Sequence, residues 1–341
     1  MFFSKKLNYN YGGVKLPHIN YWSNMKILII SGFLGSGKTT FIKEMVKKTK
    51  KQFVIVENEF GKLGLDGNLI KENFNNEEIK IWELTEGCIC CSLNLDFTHS
   101  ILTIANTINP EYLIVEPSGV AMLSNIIEQL SKICYENIVL LSPIVIIDAN
   151  NFKNNLENYS EYFLDQLNNS SKVILSKSEN LSEVEFSNIK NELEINRKLV
   201  NFNLTHYSNW TKQDWENLFN NEYSIKKDHK GELKVVFNKI EIDEEQILEN
   251  ISLLNIKIKN IPELIFKLNV LMSKQLGNIV RAKGYFNIKD FWFKFDLVND
   301  NYEICGCNPM EDSRVVIIGK KLNKKYIHQI FNKNNFKKLN S

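Results

Sequence analysis

One glycine-rich segment constrains the fold more than any other feature of this sequence. Residues 32–39 read Gly-Phe-Leu-Gly-Ser-Gly-Lys-Thr, after an apolar run at 26–31 and before a helical pattern of apolar residues. In this context a segment of the form G-x-x-x-x-G-K-[ST] wraps its backbone N–H groups around phosphates, and the following helix adds partial positive charge. The sequence therefore predicts an α/β fold whose first strand leads into a phosphate-binding loop.

The side chains of this loop have separate expected roles. Lys38 is expected to reach the outer phosphates of a nucleotide. The Thr39 hydroxyl is expected to bind Mg²⁺, which offsets charge that builds during phosphoryl transfer. The residues predicted to contact the nucleotide here are Gly32, Gly35, Ser36, Gly37, Lys38, Thr39 and Thr40. Lys38 and Thr39 are also predicted to be catalytic, in an enzyme that hydrolyses a nucleoside triphosphate.

A carboxylate near the metal or the attacking water is also expected. Glu116 ends an apolar run in Leu-Ile-Val-Glu-Pro-Ser-Gly, and the carboxyl ends of parallel strands border the ligand crevice of such a sheet. We therefore predict that Glu116 is catalytic. Gly119 is predicted to bring a backbone amide close to the terminal phosphate.

Periodicity divides the chain into two folded parts. Short apolar runs alternate with helical patterns up to about residue 220, which is typical of a doubly wound, mostly parallel sheet. Its predicted strands are 26–31, 53–57, 79–84, 112–116, 144–148 and 173–176. A smaller α+β domain is predicted to follow, with strands at 233–240, 279–286, 291–298, 302–307 and 314–319, helices within 243–275 and a closing helix. The expected division is an extension of unknown role at 1–24, a nucleotide-binding domain at 25–220, a linker at 221–230 and a C-terminal domain at 231–341.

Charge and hydropathy exclude two classes of partner. The 341 residues include 42 Lys and Arg against 40 Asp and Glu, a formal net charge of +2. Such a balance provides no large single-sign field, so no nucleic-acid partner is expected. No run approaches the roughly 18 apolar residues of a membrane span. We therefore expect no membrane partner and a cytoplasmic location.

Three of the six cysteines crowd into one turn, at Cys88, Cys90 and Cys91. Neighbouring thiols rarely serve a structural disulfide framework, so the crowding favours metal ligands or redox groups. Three thiolates plus one oxygen or nitrogen ligand suit tetrahedral Zn²⁺, and Cu(I) also accepts soft ligands. Cys134 is interpreted as a core residue, and the pair Cys305 and Cys307 as structural.

The chain resembles the CobW family of P-loop GTPases in four motifs taken together. These are Gly-Phe-Leu-Gly-Ser-Gly-Lys-Thr-Thr at 32–40, Glu-Asn-Glu-Phe-Gly at 57–61, Gly-Cys-Ile-Cys-Cys at 87–91 and Glu-Pro-Ser-Gly at 116–119. The C-terminal domain is also similar, in Arg-Ala-Lys-Gly at 281–284 and Val-Val-Ile-Ile-Gly at 315–319. The resemblance covers all but the first 24 residues.

The resemblance implies a GTP-hydrolysing metallochaperone or metal insertase. Such a protein delivers Zn²⁺, Co²⁺ or a related ion to a client metalloprotein or cofactor-pathway enzyme. It also implies that Cys88, Cys90 and Cys91 bind the metal, and it favours Glu57 as a further ligand. A guanine site of this family would read Asn-Lys-x-Asp, where this chain has Ser-Lys-Ser-Glu at 176–179. Ser176, Lys177 and Glu179 are the corresponding predicted base-binding residues, with GTP favoured and ATP left open.

Two further departures from the family narrow the expected metal chemistry. Lys62 replaces a residue that is commonly acidic after the Glu-Phe-Gly sequence, which removes one possible ligand. The five histidines are not clustered, so metal storage is not expected.

The expected mechanism couples nucleotide to metal. The nucleotide state is predicted to set the geometry of 57–66 and of the cysteine turn, so that hydrolysis alters metal affinity. Two alternatives stay open from the sequence. One is a nucleotide-driven activator of a corrinoid or other cofactor enzyme without metal transfer, and the other is a metal sensor that uses nucleotide as a structural ligand.

Overall fold

The fold is taken from a computed structural model. It describes residues 24–57, 79–83, 95–134, 137–195, 202–224, 247–298, 301–310 and 312–332. Most of the N-terminal extension, the cysteine turn at 88–91 and the strand predicted at 233–240 lie outside the described residues.

The first part of the described chain forms one parallel sheet. Its strands are β1 (Met25–Ser31), β2 (Phe53–Glu57), β3 (Ile79–Glu83), β4 (Tyr112–Glu116), β5 (Ile138–Leu140), β6 (Ile144–Asp148) and β7 (Lys172–Ser176). They lie in the order β3-β2-β4-β1-β6-β7, and β5 also pairs with β1. Strand β5 pairs with the start of β1 and β6 with its end. The predicted parallel sheet is confirmed, whereas β5 was not predicted.

Helices cover both faces of this sheet. They are α1 (Lys38–Thr49), α2 (Leu95–Thr107), α3 (Leu123–Ser131), α4 (Phe152–Asn158), α5 (Ser160–Asn169), α6 (Glu183–Glu194) and α7 (Lys212–Glu216), with short 3-10 turns at Tyr207–Asn209 and Asn217–Phe219. Alternate residues of β1 point to opposite faces. Leu28 and Ile30 share a buried cluster with α1, and Ile27 and Ile29 share one with α2 and α3. The sheet is therefore doubly wound.

The segment 202–224 packs on the first sheet. Trp215 is 1% exposed, and its ring lies 5.4 Å from Phe41 and 5.0 Å from Trp210, centroid to centroid. The backbone N–H of Tyr223 donates to Leu140 O over 2.8 Å. Hydrogen bonding to the first sheet thus continues into the residues predicted as a linker, and the exact division of the chain into domains stays a prediction.

The second part forms an antiparallel sheet with two helices. It consists of β8 (Glu249–Leu254), α8 (Ile261–Met272), β9 (Asn278–Ile288), β10 (Phe291–Val298), β11 (Asn301–Gly306), β12 (Arg314–Lys320) and α9 (Lys324–Asn332), with strand order β11-β10-β9-β12-β8. A helix lies within 243–275 as predicted, at α8, whereas β8 in the same range was not predicted. This segment becomes a strand by pairing with β12, which is distant in sequence. The α+β class is confirmed.

The two faces of the second sheet have different neighbours. One face packs against α8 and α9 through residues such as Ala282, Phe286 and Ile317. The opposite face shares a buried cluster with the first part of the chain, in which Val316 and Ile318 meet Phe33 and Leu34 of the glycine-rich loop. Within the described residues, no helix is both long and apolar enough to cross a bilayer.

We predict that Trp215→Ala destabilises the whole first sheet. Removing this buried ring leaves a cavity against Phe41, and such truncations cost about 3–5 kcal/mol. The free energy of unfolding from urea titration measures the change. Trp215→Phe is the matched control and should cost much less, because an aromatic ring still fills the site. A loss below about 1 kcal/mol in Trp215→Ala would mean that 202–224 does not unfold with the sheet.

Candidate functional site

The glycine-rich loop has a backbone that requires glycine. Gly32, Gly35 and Gly37 have φ of +148°, +70° and +87°. A Cβ at Gly32 would lie 2.4 Å from Ile146 O on β6, which is far inside van der Waals contact. These two facts explain why glycine occupies this position and how the loop stays against the sheet.

The start of α1 is suited to an anion. Gly37 precedes the helix and offers no side chain to its first N–H groups. Among the described residues the first turn carries no acidic side chain, while Lys47 and Lys48 lie in the last turn. Unsatisfied N–H groups and the helix dipole give such a terminus partial positive charge, which suits an anion such as phosphate.

Lys38 and Thr39, the first two residues of α1, have polar contacts across the site. Lys38 Nζ donates hydrogen bonds to Gly32 O at 2.8 Å and to Phe33 O at 3.4 Å, so the buried ammonium lies inside the loop. Thr39 Oγ1 donates to Glu116 Oε1 over 2.9 Å. The structure therefore brings together the predicted catalytic residues Lys38, Thr39 and Glu116.

Two carboxylates end neighbouring strands at this edge. Glu57 on β2 is in register with Glu116 on β4, and the two residues are 7% and 9% exposed. Like charges on adjacent strands, about 4.8 Å apart at the backbone, repel unless a cation lies near them. Glu116 and the Thr39 hydroxyl, which are hydrogen-bonded to each other, are hard oxygen ligands of the kind that Mg²⁺ prefers. The residues present thus fit a magnesium ion.

The turn after β4 lies directly against the loop. A Cβ at Gly119 would lie 2.5 Å from Leu34 N. Gln166 Nε2 holds this turn by donating to Gly119 O and Ala121 O over 3.0 and 3.1 Å. Gln166 was not singled out from the sequence, because its contact with the turn joins residues 47 positions apart.

Strand β7 supports the second half of the loop. Ser176 Oγ donates to Ser36 O over 2.5 Å, and a Cβ at Gly37 would lie 3.4 Å from Ser176 Cβ. Lys177 has φ of +52°, and its Nζ lies 2.6 Å from Asp148 Oδ2. Asp148 was missed as a candidate, although a single acid at the end of the apolar run Ile-Val-Ile-Ile was a usable signal.

Glu179 lies farther out, beside a buried histidine. Its side chain is 57% exposed, and its Oε1 is 3.5 Å from His206 Nε2. Ser208 N donates to His206 Nδ1, which places the proton of a neutral ring on Nε2, facing Glu179. Burial lowers the pKa of His206, and the nearby Glu179 opposes that shift. A base bound by Glu179 would therefore compete with His206 for this carboxylate.

The site encloses a cavity of about 490 Å³ between the two sheets. From the first part of the chain it is lined by Leu34, Gly35, Ser36, Gly37, Lys38, Thr39, Thr40, Lys43, Glu57, Glu116, Pro117, Ser118, Gly119 and Lys177. From the second sheet it is lined by Arg281, Lys283, Asp296, Glu303 and Ile318, none of which was predicted as a site residue. Gly32, Ser176 and Glu179 do not line this cavity, and their contact with nucleotide stays a prediction.

The cysteines that the structure describes fit structural roles. Burial raises the pKa of the Cys134 thiol to about 12, which leaves it protonated and weakly reactive. Cys307 packs with Trp292 against the cluster between the sheets. Within the described ranges, no group of three or more His, Cys, Asp or Glu residues could hold a metal ion. The predicted ligands Cys88, Cys90 and Cys91 lie outside those ranges.

Comparison with known proteins identifies the family. Residues 26–202 match the family described as CobW/HypB/UreG, nucleotide-binding domain. The chain belongs to this family. Residues 266–334, which include β9 to β12, match the cobalamin synthesis protein cobW C-terminal domain. The expected family resemblance is thus confirmed.

Three relatives illustrate the similarity. The chain is 32% identical over 139 residues to zinc chaperone CobW of a Sinorhizobium species, covering 37% of this chain and 39% of that protein. It is 30% identical over 142 residues to zinc chaperone YeiR of Escherichia coli, covering 39% and 42%. The alignments thus span about two fifths of these relatives' lengths. The Zn(II)-bound YjiA GTPase from E. coli aligns over 90% of this chain and 98% of its own, with 17% identity and a TM-score of 0.42.

We predict that Gly32→Ala disrupts the loop. The substitution forces a strained φ and a clash with Ile146 O, together costing at least about 2 kcal/mol. Urea titration measures the stability, and calorimetric titration with GDP measures the binding that should be lost. Gly306→Ala is the control, because its Cβ would lie 4.0 Å from the nearest atom, Trp292 O. Unchanged GDP affinity in Gly32→Ala would contradict the proposed use of the loop.

Proposed function

We propose that this protein is a GTP-hydrolysing metallochaperone or metal insertase. The observation that carries the proposal is the juxtaposition of Thr39, Glu116 and Glu57 at the mouth of the glycine-rich loop. The zinc chaperones among its relatives support the metal part of this proposal. The client is a metalloprotein or a cofactor-pathway enzyme, and the protein acts in the cytoplasm.

The loop binds the phosphates of the nucleotide. Its inward N–H groups, the start of α1 and the Lys38 ammonium together offset the charge of a triphosphate. Thr39, with Glu116 beside it, holds Mg²⁺, which supplies the charge neutralisation that phosphoryl transfer needs. Each charge-assisted hydrogen bond contributes roughly 1.5–3 kcal/mol, so several suffice for tight binding without an apolar pocket.

Hydrolysis adds water across the bond between the second and third phosphates. Glu116 is placed to orient this water or the metal ligands, because its Oε1 accepts a hydrogen bond from the Thr39 hydroxyl, which fixes the carboxylate. Gly119 presents its backbone beside Leu34, where the third phosphate is expected. Lys38 stabilises the charge that develops on the phosphate oxygens.

The base site favours guanine through an acidic acceptor. A carboxylate accepts hydrogen bonds from both N1–H and the exocyclic amine of guanine. Glu179 supplies this group, and Ser176 and Lys177 shape the wall at the end of β7. ATP is the alternative, and competition between the two nucleotides for the wild-type protein distinguishes them.

The metal is held by Cys88, Cys90 and Cys91 with Glu57 as the further ligand. Strand β3 is the neighbour of β2, and Glu83 at its end is in register with Glu57. Cys88 follows Glu83 by five residues, a stretch of chain that spans at most about 18 Å. The thiols are thus tethered to the strand beside Glu57, which supports one metal site next to the nucleotide. Three thiolates and a carboxylate suit Zn²⁺.

We predict that Lys38→Ala lowers the steady-state rate of GTP hydrolysis with Mg²⁺ by at least about 100-fold, since it removes one preorganised donor to the transition state. Phosphate release measures the rate. Lys47→Ala is the control, because Lys47 is 71% exposed in the last turn of the same helix. A wild-type protein without sustained turnover would favour the sensor alternative over the enzyme.

We also predict that nucleotide and metal binding are coupled. Competition of Zn²⁺, Co²⁺ and Ni²⁺ with a chelator should give metal affinities that differ about 5- to 150-fold between GDP and a non-hydrolysable GTP analogue. Replacing Cys88, Cys90 and Cys91 with Ser should abolish tight binding, whereas the control Cys305→Ser should not. Equal affinities with both nucleotides would sink the coupling. Client activation that survives the triple substitution would favour the activator alternative.

A further inference from the structure

The face of the second sheet that meets the loop carries charge at alternate positions. Arg281 and Lys283 on β9 alternate with Ala282, which faces the helices. Asp296 on β10 is the cross-strand neighbour of Lys283, and Val298 is that of Arg281. On the same face Val316 and Ile318 are buried against the loop, whereas Lys294 and Arg314 carry further charge away from the cavity. The charged residues of this sheet that line the cavity are Arg281, Lys283, Asp296 and Glu303.

These cations form a compact, partly buried group. Arg281 Nε and Nη2 donate to Asp296 Oδ1 and Oδ2 over 3.1 and 2.9 Å, and Lys283 Nζ lies 3.9 Å from Oδ2. The side chains of Arg281 and Lys283 are only 14% and 13% exposed. Asp296 fixes the plane of the guanidinium. Its cross-strand neighbour Glu303 on β11 also lines the cavity, so the two cations face two carboxylates on this wall.

The loop has two ends with different neighbours. Its second half, at Ser36 and Gly37, contacts Ser176 on β7, where the base is expected. After Gly32, which lies against β6, the first half contacts Gly119 and the second sheet instead. A Cβ at Gly35 would lie 3.4 Å from Val298 Cγ1, and Leu34 lies against Gly119. The second sheet therefore adjoins the end of the loop farthest from the base.

We propose that Arg281, with Lys283, contacts the outermost phosphate of the bound nucleoside triphosphate, so that the second sheet distinguishes triphosphate from diphosphate. The inference rests on the proposed function of the cavity. A carboxylate that holds a guanidinium in one plane also fixes the direction of its planar fork of donors, which matches the geometry of a phosphate. When a diphosphate is bound, the outermost phosphate is missing and this contact is lost. The contact therefore makes the C-terminal domain sensitive to hydrolysis.

The test measures two affinities and one rate in each variant. Arg281→Ala should weaken binding of a non-hydrolysable GTP analogue with Mg²⁺ about 10- to 100-fold and leave the GDP affinity within about twofold. Its hydrolysis rate at saturating GTP should fall at least about 10-fold. Arg281→Lys keeps the charge without the fork and should restore part of both. Lys294→Ala removes a cation two residues from Asp296 that does not line the cavity, and it should change neither.

Two further variants separate direct contact from indirect effects. In Arg281→Ala the Asp296 carboxylate could itself repel phosphate, so the double variant Arg281→Ala/Asp296→Asn should keep the loss of analogue affinity. Recovery of wild-type affinity in the double variant would overturn the proposal, as would equal weakening of GDP and analogue in Arg281→Ala. If Arg281→Ala does not fold, Lys283→Gln must show the same selective loss. If the wild-type protein binds neither nucleotide, the proposed function itself is overturned. If the wild-type protein binds both and Arg281→Ala has the same affinities, only this inference is overturned.

Discussion

The contact between Gly32 and β6 is the constraint on which the site depends. Without a side chain, Gly32 lies so close to Ile146 O that the loop must leave β1 in one direction. That direction places α1 with its first turn over the carboxyl ends of the strands, where Thr39 reaches Glu116. In the strand order, β4 and β2 lie on one side of β1 and end in carboxylates, whereas β6 and β7 lie on its other side. Strand β6 contacts the start of the loop at Gly32, and β7 contacts its end at Gly37.

The sequence was informative wherever the signal is local. A glycine pattern between an apolar strand and a helix specifies a loop conformation within eight residues, so the conformation of this loop could be predicted from the sequence. Glu116 could also be predicted, because it ends an apolar run. Strand β8 could not, because Glu249–Leu254 has a mixed pattern and becomes a strand through pairing with β12, more than fifty residues later. Local propensity is a weak guide when pairing is distant.

The part of the site that could not be predicted depends on how the strands pair and in which register. Glu57 and Glu116 meet because β2 and β4 are parallel neighbours, although the crossing order of the strands is not readable from either segment. Arg281 and Asp296 meet through the hairpin of β9 and β10, and their approach to the loop requires the packing of two sheets. Alternating charge within an apolar strand was the only available signal for these residues, and it does not identify the partner.

Close packing makes the two sheets respond together. Phe33 and Leu34 belong to the loop, and Val316 and Ile318 belong to the second sheet, yet all four are buried in one cluster. A shift of the loop relative to this cluster must either move the second sheet or open a void, which costs about 24 cal/mol per Å³. The polar side of the same contact carries Arg281. In the proposed function, apolar packing transmits displacement of the loop, and the contact of Arg281 with phosphate makes that displacement depend on the nucleotide.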